Sequence, residues 1–380
     1  MSRARFARFA VAFTLLTIPQ PSRVTAAAHS DRCTHHCSIP AAEIQAELDA
    51  AVAAGVPGVA LLVRSGEQVV TFTAGVADRS TGRAIRPDDR FRIASITKSF
   101  VATLVVRLAQ DHRLRLDDPV VRYVPEYALD AGITIRQVLQ HTSGLFDIAD
   151  DNAWIETVLA DPTRAWTPDE LIRIGLAHPS YFAPGAGYHY SNTGYMLLGA
   201  LVQRVTGHDV AHELRKRIFG PLGLGHTYVS HEATLRGHFA RGYSMSADGA
   251  AIDVTTLNAT FTGAAGDIIS TVGDVATFYR GLLRGRIVSG RYLDEMEAFL
   301  DLDPQPEDGV GLGLFRFPEA CGTRTVGHTG GIFGYQSEAR NSLDASIQNI
   351  VYVNTDAIPE AAYPHLGAAE QLAICGSPTG

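Results

Sequence analysis

Apolar residues recur along this chain in two rhythms, one suited to strands and one to helices, and their distribution divides the sequence into three stretches. Glu43 to Ala54 carries a helical pattern that stops at Gly55-Val56-Pro57. Two runs rich in β-branched residues follow, Val59 to Val63 and Val69 to Val76, joined through Ser65-Gly66-Glu67. The chain therefore opens as a helix and then a hairpin. From Ser95 to about Thr260 the pattern is mainly helical, with helices predicted near Thr97 to Asp111, Ile135 to Gln140, Thr167 to Ala177 and Thr193 to Thr206, and no obvious strand pair. Strand-like segments return at Gly311 to Phe317, Arg324 to Gly327, Gly334 to Arg340 and Ile347 to Asn354, before a closing helix over Ala361 to Ile374. Early and late strands are expected to share one antiparallel sheet flanked by helices. The helical stretch would then be an insertion, with a cleft where it meets the α/β part.

The first helix of the insertion holds the most informative local feature. In Ser95-Ile96-Thr97-Lys98 a hydroxyl and an amine stand three residues apart, on one face of a helix. Phe100, Val101, Leu104, Val105 and Leu108 form a core-facing stripe behind them, which buries this helix start. Burial disfavours a charged lysine, so Lys98 can serve as a base toward Ser95. By itself the pair is also what a solvated helix start looks like, and it needs company.

Two further segments supply it. Tyr190-Ser191-Asn192 precedes the apolar helix from Tyr195 to Val205; Tyr190 at a cleft edge can exchange a proton with a nearby ammonium, and Asn192 can orient a substrate amide. The competing reading is a helix cap, with Ser191 or Asn192 as N-cap. Gly327-His328-Thr329-Gly330-Gly331 follows the strand-like Arg324-Thr325-Val326. Its glycines let a ligand's backbone come close, and the N–H groups of Gly331 and Ser95 would form an oxyanion hole. An ordinary glycine turn bearing a surface histidine would look the same.

Composition narrows the setting. Arg3, Arg5 and Arg8, an apolar run from Phe9 to Ile18 and a small-residue Ala26-Ala27-Ala28 site read as a secretory signal over residues 1–28, followed by a tail to residue 40. The apolar run is shorter than the ~20 residues that span a bilayer, so the mature protein is expected to be exported, without a membrane anchor. Net charge over the 380 residues is −8, and the leader removes four arginines and no acids, so nucleic acid is an unsuited partner. Four cysteines outside the leader suit disulfides in an exported chain, here paired as Cys321 with Cys375 and Cys33 with Cys37, one of three connectivities open to them. Cys33-Thr34-His35-His36-Cys37 lacks an established metal-ligand spacing, and no metal or organic cofactor is expected.

Taken together and in this order, the three segments resemble the S-x-x-K, Y-x-N and H-x-G motifs of the penicillin-recognising serine hydrolases, in the branch of class C β-lactamases and DD-peptidases. Gly75-Val76-Ala77-Asp78-Arg79, Asp89-Arg90-Phe91-Arg92, Leu139-Gln140-His141-Thr142-Ser143-Gly144-Leu145, Gly311-Leu312-Gly313-Leu314 and the two Cys-Gly pairs extend the likeness to the secreted actinomycete D-alanyl-D-alanine carboxypeptidase/transpeptidases. The resemblance implies an α/β β-lactamase/DD-peptidase-like fold over residues 41–375, with an α/β part at 41–94 plus 262–375 and a helical part at 95–261. It implies Ser95 as acylated nucleophile, Lys98 as its proton partner and Tyr190 as general acid/base. Asn192 would hold the substrate amide, and His328, Thr329 and Gly330 would flank the scissile bond. His141 reads as a packing residue of its loop.

Several departures bear on substrate. The resemblance places Phe315 where the carboxypeptidases carry an arginine for the terminal carboxylate, and Gly331 where they carry a threonine. Arg324 shares the alternation of His328 and is a candidate replacement. Phe333 and Phe261 stand at glutamine and tryptophan positions, and Trp154 lies near a cleft aromatic, so the pocket is expected to be more apolar. The leading expectation is a secreted, penicillin-sensitive serine D-Ala-D-Ala carboxypeptidase acting on peptidoglycan stem peptides. Its rivals are a D-stereospecific peptidase, amidase or esterase, a class C-like β-lactamase, and a non-enzymatic penicillin or peptidoglycan sensor.

Overall fold

A computed structural model describes residues 38–246, 250–302 and 308–376. The leader and the Cys33–Cys37 pair proposed from the sequence lie outside the described residues. Helix α1 (Ala41–Ala53) leads into β1 (Gly58–Ser65) and β2 (Gln68–Asp78), as the alternation predicts, and a short β3 (Arg83–Ala84) follows. After the helical insertion come β4 (Leu300–Asp301), β5 (Gly309–Val310), β6 (Phe315–Ala320), β7 (Thr323–Ile332), β8 (Tyr335–Ser342) and β9 (Ile347–Val353). These make one nine-stranded sheet in the order β3-β2-β1-β9-β8-β7-β6-β5-β4, antiparallel at every pairing. The sequence halves meet where β1 pairs with β9, in a register that sets Val59 opposite Val353 and Ser65 opposite Ile347.

Both faces of the sheet are covered, which explains why β1 is apolar at nearly every position rather than at alternate ones. Val59, Leu61 and Val63 join Val351 and Val353 beneath α1 and the last helix (Tyr363–Cys375), meeting Ile44, Leu48, Leu366 and Ala369. Ala60 and Leu62 point to the other face and enter the main core, which also holds α2 (Thr97–Gln110), α3 (Asn192–Thr206) and α4 (Val272–Leu283). Helix α2 is not one-sided, as a core-facing stripe implies. All its residues except Arg107 and Gln110 are buried, so it is the central rod of the molecule.

The structure departs from the sequence pattern in three places. The strand expected over Gly311 to Phe317 begins only at Phe315, because Gly311 to Leu314 form a turn; Gly313 has φ +70°, and a Cβ there would lie 2.2 Å from that of Ala102 on α2. The strand expected to end at Gly327 runs on to Ile332. The stretch from Ser95 to about Thr260, without an obvious strand pair in the sequence, contains the pair Tyr243–Met245 with Ala251–Asp253, and its Tyr228–Val229 joins Phe91–Arg92 and Ile268–Ser270, from either side of the stretch, in a three-stranded sheet. Cys321, in the β6–β7 hairpin, and Cys375, at the end of the last helix, lie with Cα atoms 5.7 Å apart, a separation that suits the proposed pairing. Among the described residues no helix is long and apolar enough to cross a membrane.

Candidate active site

Ser95 sits in a 3-10 turn (Ala94–Ile96) that runs directly into α2. Ala94, just before it, has φ +48°, a strained left-handed conformation for a residue with a Cβ. As the second residue of its turn, Ser95 has an N–H with no partner inside the helix. One turn further on, Lys98 is fully buried, and its ammonium donates to Ser95 Oγ (3.0 Å), Asn192 Oδ1 (2.7 Å) and the Ala265 carbonyl (2.9 Å). The rings of Tyr190 and Tyr195 lie 4.7 and 5.6 Å from the same nitrogen. Burial pulls the Lys98 pKa down to about 7, with the Asp147 carboxylate acting in the opposite direction. Near neutral pH a large share of Lys98 is therefore uncharged and able to accept a proton.

Tyr190 and Asn192 come from the loop and first turn of α3. Ser191 caps that helix, accepting from the Gly194 N–H at 3.3 Å, so the capping role and the cleft position coexist in one tripeptide. The Tyr190 hydroxyl is buried, and burial drives its pKa well above the ordinary phenol value while the nearby Ser95 hydroxyl pulls it down. Tyr190 is thus a phenol, poised to give a proton. His141, itself at φ +59°, stacks on Tyr190 with ring centroids 4.3 Å apart and accepts the Ser191 N–H on Nδ1 at 3.1 Å, which agrees with a packing role.

The third wall is the free edge of β7. Strand β6 pairs with β7 only as far as Gly327, so from His328 onward that edge has no strand partner among the described residues. Ile332 and Tyr335 close the two-residue turn Phe333-Gly334, and ladder alternation therefore directs the Gly331 N–H away from β8, toward the open edge. Gly330 brings this edge against the Ser95 turn: a Cβ on it would lie 2.3 Å from the Ile93 carbonyl oxygen and 2.6 Å from Ser337 Oγ. At Gly331 a Cβ would meet nothing. The His328 ring packs edge-on against Phe315 with centroids 4.8 Å apart, its Nδ1 lies 2.6 Å from the Thr329 carbonyl oxygen, and Nε2 is buried without a partner among the described residues. Burial, aided by Lys98, lowers its pKa to about 3, so His328 is neutral at working pH. Thr329 lines the cleft, its Oγ1 buried and without a hydrogen-bond partner among the described residues.

Trp154, Phe261 and Phe333 form a continuous aromatic wall, with successive centroids 5.9 and 6.0 Å apart, and Ile148, Ala149 and Met196 extend the apolar lining. Two residues proposed as substrate contacts lie elsewhere. Phe315 is behind His328 and Tyr190 rather than in the cleft, and Arg324 is at the exposed start of β7, too far along the strand to reach the Ser95 end. Asn192 lines the cleft, but its amide is already engaged on both sides: Oδ1 with Lys98, and Nδ2 with both oxygens of Asp147 at 3.0 and 3.1 Å. Asp147 is the residue that sequence reasoning missed. It sits in an irregular loop, and no periodicity links it to position 192. The grouping His208, His212 and Glu213 is the sole metal-like cluster among the described residues; its two exposed rings stack face to face, 4.3 Å apart, and Glu213 already pairs with Arg217.

Comparison with known proteins agrees with this architecture. Residues 43–373 match the family described as Beta-lactamase. A D-stereospecific amidohydrolase from Streptomyces sp. has a solved structure that superposes with a TM-score of 0.81 at 36% identity, covering 89% of this chain and 99% of that one. A D-aminopeptidase from Brucella ovis is 27% identical over 325 residues, 83% of this chain. The esterase EstB from Burkholderia gladioli is 36% identical over 204 residues, 49% of this chain. The chain spans 60% of the length of the D-aminopeptidase and 52% of that of EstB.

Proposed function

The chain belongs to the β-lactamase family, and from that premise we propose that it is a serine hydrolase of D-amino-acid amides, esters or short peptides, with no requirement for a terminal carboxylate. The observation that carries this reading is the electrostatics of the cleft. Its lining includes no arginine, lysine or histidine among the described residues, Lys98 beneath it is fully engaged, and His328 is neutral. A carboxylate entering such a cleft would lose its hydration without gaining a charge-assisted contact, a loss of about 1.5–3 kcal/mol relative to a neutral amide. The similarity to a D-stereospecific amidohydrolase, a D-aminopeptidase and an esterase supports the same reading over the carboxypeptidase first expected.

In the mechanism, Ser95 Oγ attacks the scissile carbonyl as its proton passes to neutral Lys98. The N–H groups of Ser95 and Gly331 receive the developing oxyanion. The Tyr190 phenol protonates the departing amine or alkoxide and recovers its proton from Lys98, and water then releases the acyl group by the reverse transfers. The aromatic wall of Trp154, Phe261 and Phe333 would receive an apolar acyl side chain. β-Lactams, as cyclic amides, are expected to acylate the same serine, and export through residues 1–28 remains part of this proposal.

The deciding experiment compares D- and L-phenylalanine amide, and D-Ala-D-Ala with and without C-terminal amidation. Faster turnover of the D-amide, equal or better cleavage of the amidated dipeptide, and loss of both activities in Ser95→Ala are expected. A clear preference for the free acid would return the carboxypeptidase reading, and preference for the L-amide would overturn D-specificity.

A further inference from the structure

Asp147 is nearly fully buried, and among the described residues every hydrogen bond its carboxylate makes is one that it accepts. Oδ1 takes the Ala149 N–H (3.1 Å), the Asn192 N–H (3.0 Å) and Asn192 Nδ2 (3.0 Å), and Oδ2 takes Asn192 Nδ2 again (3.1 Å). A protonated carboxyl would need an acceptor, and none of these groups is one, so the surroundings hold the ionised form although burial pushes its pKa up. When Lys98 is protonated, Asn192 therefore lies between an acceptor-only carboxylate and a donor-only ammonium. Its amide has one orientation that satisfies both, with nitrogen toward Asp147 and oxygen toward Lys98; the flipped amide would set oxygen against oxygen and nitrogen against nitrogen.

We propose that Asp147 is a positioning residue for the Ser95–Lys98 pair: its carboxylate locks the Asn192 amide with the oxygen facing Lys98, and its charge holds the ammonium in register with Ser95 Oγ. This rests on the reading that Ser95 is the nucleophile and Lys98 its base. Around the ammonium stand Ser95 Oγ from the turn before α2, Asn192 Oδ1 from α3, the Ala265 carbonyl, and the rings of Tyr190 and Tyr195. His141 and His328 also face it, and its field with burial holds both imidazoles neutral. Among the described residues Asp147 is accordingly the negative charge acting on this lysine, with one amide between them.

The substitution Asp147→Asn tests the idea, because it keeps the shape, removes the charge and offers Asn192 an amide that can donate as well as accept. Two consequences are expected for ester hydrolysis. The acidic limb of kcat/KM against pH should move down by about one pH unit, since a lysine without its anion loses its proton more readily. The plateau should fall about tenfold, mostly in kcat, as the amide becomes free to flip. A role limited to packing would lower the plateau or the melting temperature and leave the limb in place; a limb that stays or moves up in the folded variant overturns the proposal. If Asp147→Asn does not fold, Asn192→Ala removes the oxygen that accepts from the ammonium at 2.7 Å and is expected to move the limb in the same direction, because the charged lysine loses an acceptor, an unmoved limb again being fatal. Ser95→Ala, assayed alongside, separates the two readings. Ester turnover surviving in that variant would refute the serine mechanism itself, whereas its loss together with an unmoved limb refutes only the part given to Asp147.

Discussion

Replacing Gly330 by alanine tests how closely the two halves of the site must approach. The new Cβ would stand 2.3 Å from the Ile93 carbonyl oxygen and 2.6 Å from Ser337 Oγ. Ser337 can turn aside by rotating its side chain, but the Ile93 oxygen is backbone in the segment leading into Ser95. To restore a normal separation of about 3.3 Å, β7 must retreat from the Ser95 turn by about 1 Å. That retreat carries the Gly331 N–H with it, and a misplacement of about 1 Å is worth ~10²-fold in rate, or about 2.7 kcal/mol of transition-state stabilisation. Overpacking should also lower stability by about 1–3 kcal/mol. The assay is kcat/KM for a chromogenic ester, with thermal denaturation in parallel. Gly331→Ala serves as the stability control, because its Cβ meets nothing and its melting temperature should match wild type. A Gly330→Ala enzyme within threefold of wild-type kcat/KM would refute the argument that this glycine sets the gap.

Three other outcomes follow from the same geometry. With Lys98 drawn to about pKa 7, kcat/KM should fall tenfold per pH unit below about pH 7, because protonated Lys98 cannot take the serine proton; a flat profile down to pH 5 would exclude Lys98 as the base. His328 has a folded pKa of about 3, below its unfolded value of about 6.5, so the unfolded chain binds the extra proton and stability present above pH 6.5 is lost progressively toward pH 3; denaturant midpoints should drop over that window, and less steeply in His328→Asn. Gly313→Ala combines a φ of +70° with a Cβ 2.2 Å from that of Ala102 and should cost about 3 kcal/mol, read as a shift of the urea midpoint at constant slope.

What could be seen in the sequence follows physical lines. The hairpin of β1 and β2 and the flanking α1 were legible because local repetition encodes them, and Ser95 with Lys98 because a helix turns three residues of separation into adjacency. The two-residue strands Phe91–Arg92 and Tyr228–Val229 were not, since a period cannot be counted over two positions. Arg324 was placed by strand alternation, which gives the face of a residue but not its distance along the strand. Phe315 was placed by resemblance to a carboxylate-binding position, whereas the turn at Gly313 and the packing of His328 put its ring behind the site. Asp147 was invisible for a deeper reason: its meaning comes from partners at residues 98, 149 and 192 that only the folded chain assembles.

The pairing of β1 with β9 has a temporal side. Ser95 is made in the first third of the chain and Gly331 near its end, while β1 waits for a partner almost three hundred residues later. Contacts so distant in sequence form late, because a long loop must close before they can stabilise anything. A polypeptide emerging from the ribosome therefore carries Ser95 long before it carries the strand that brings Gly331 to it. On the proposed function, hydrolytic power would be withheld until synthesis is nearly finished.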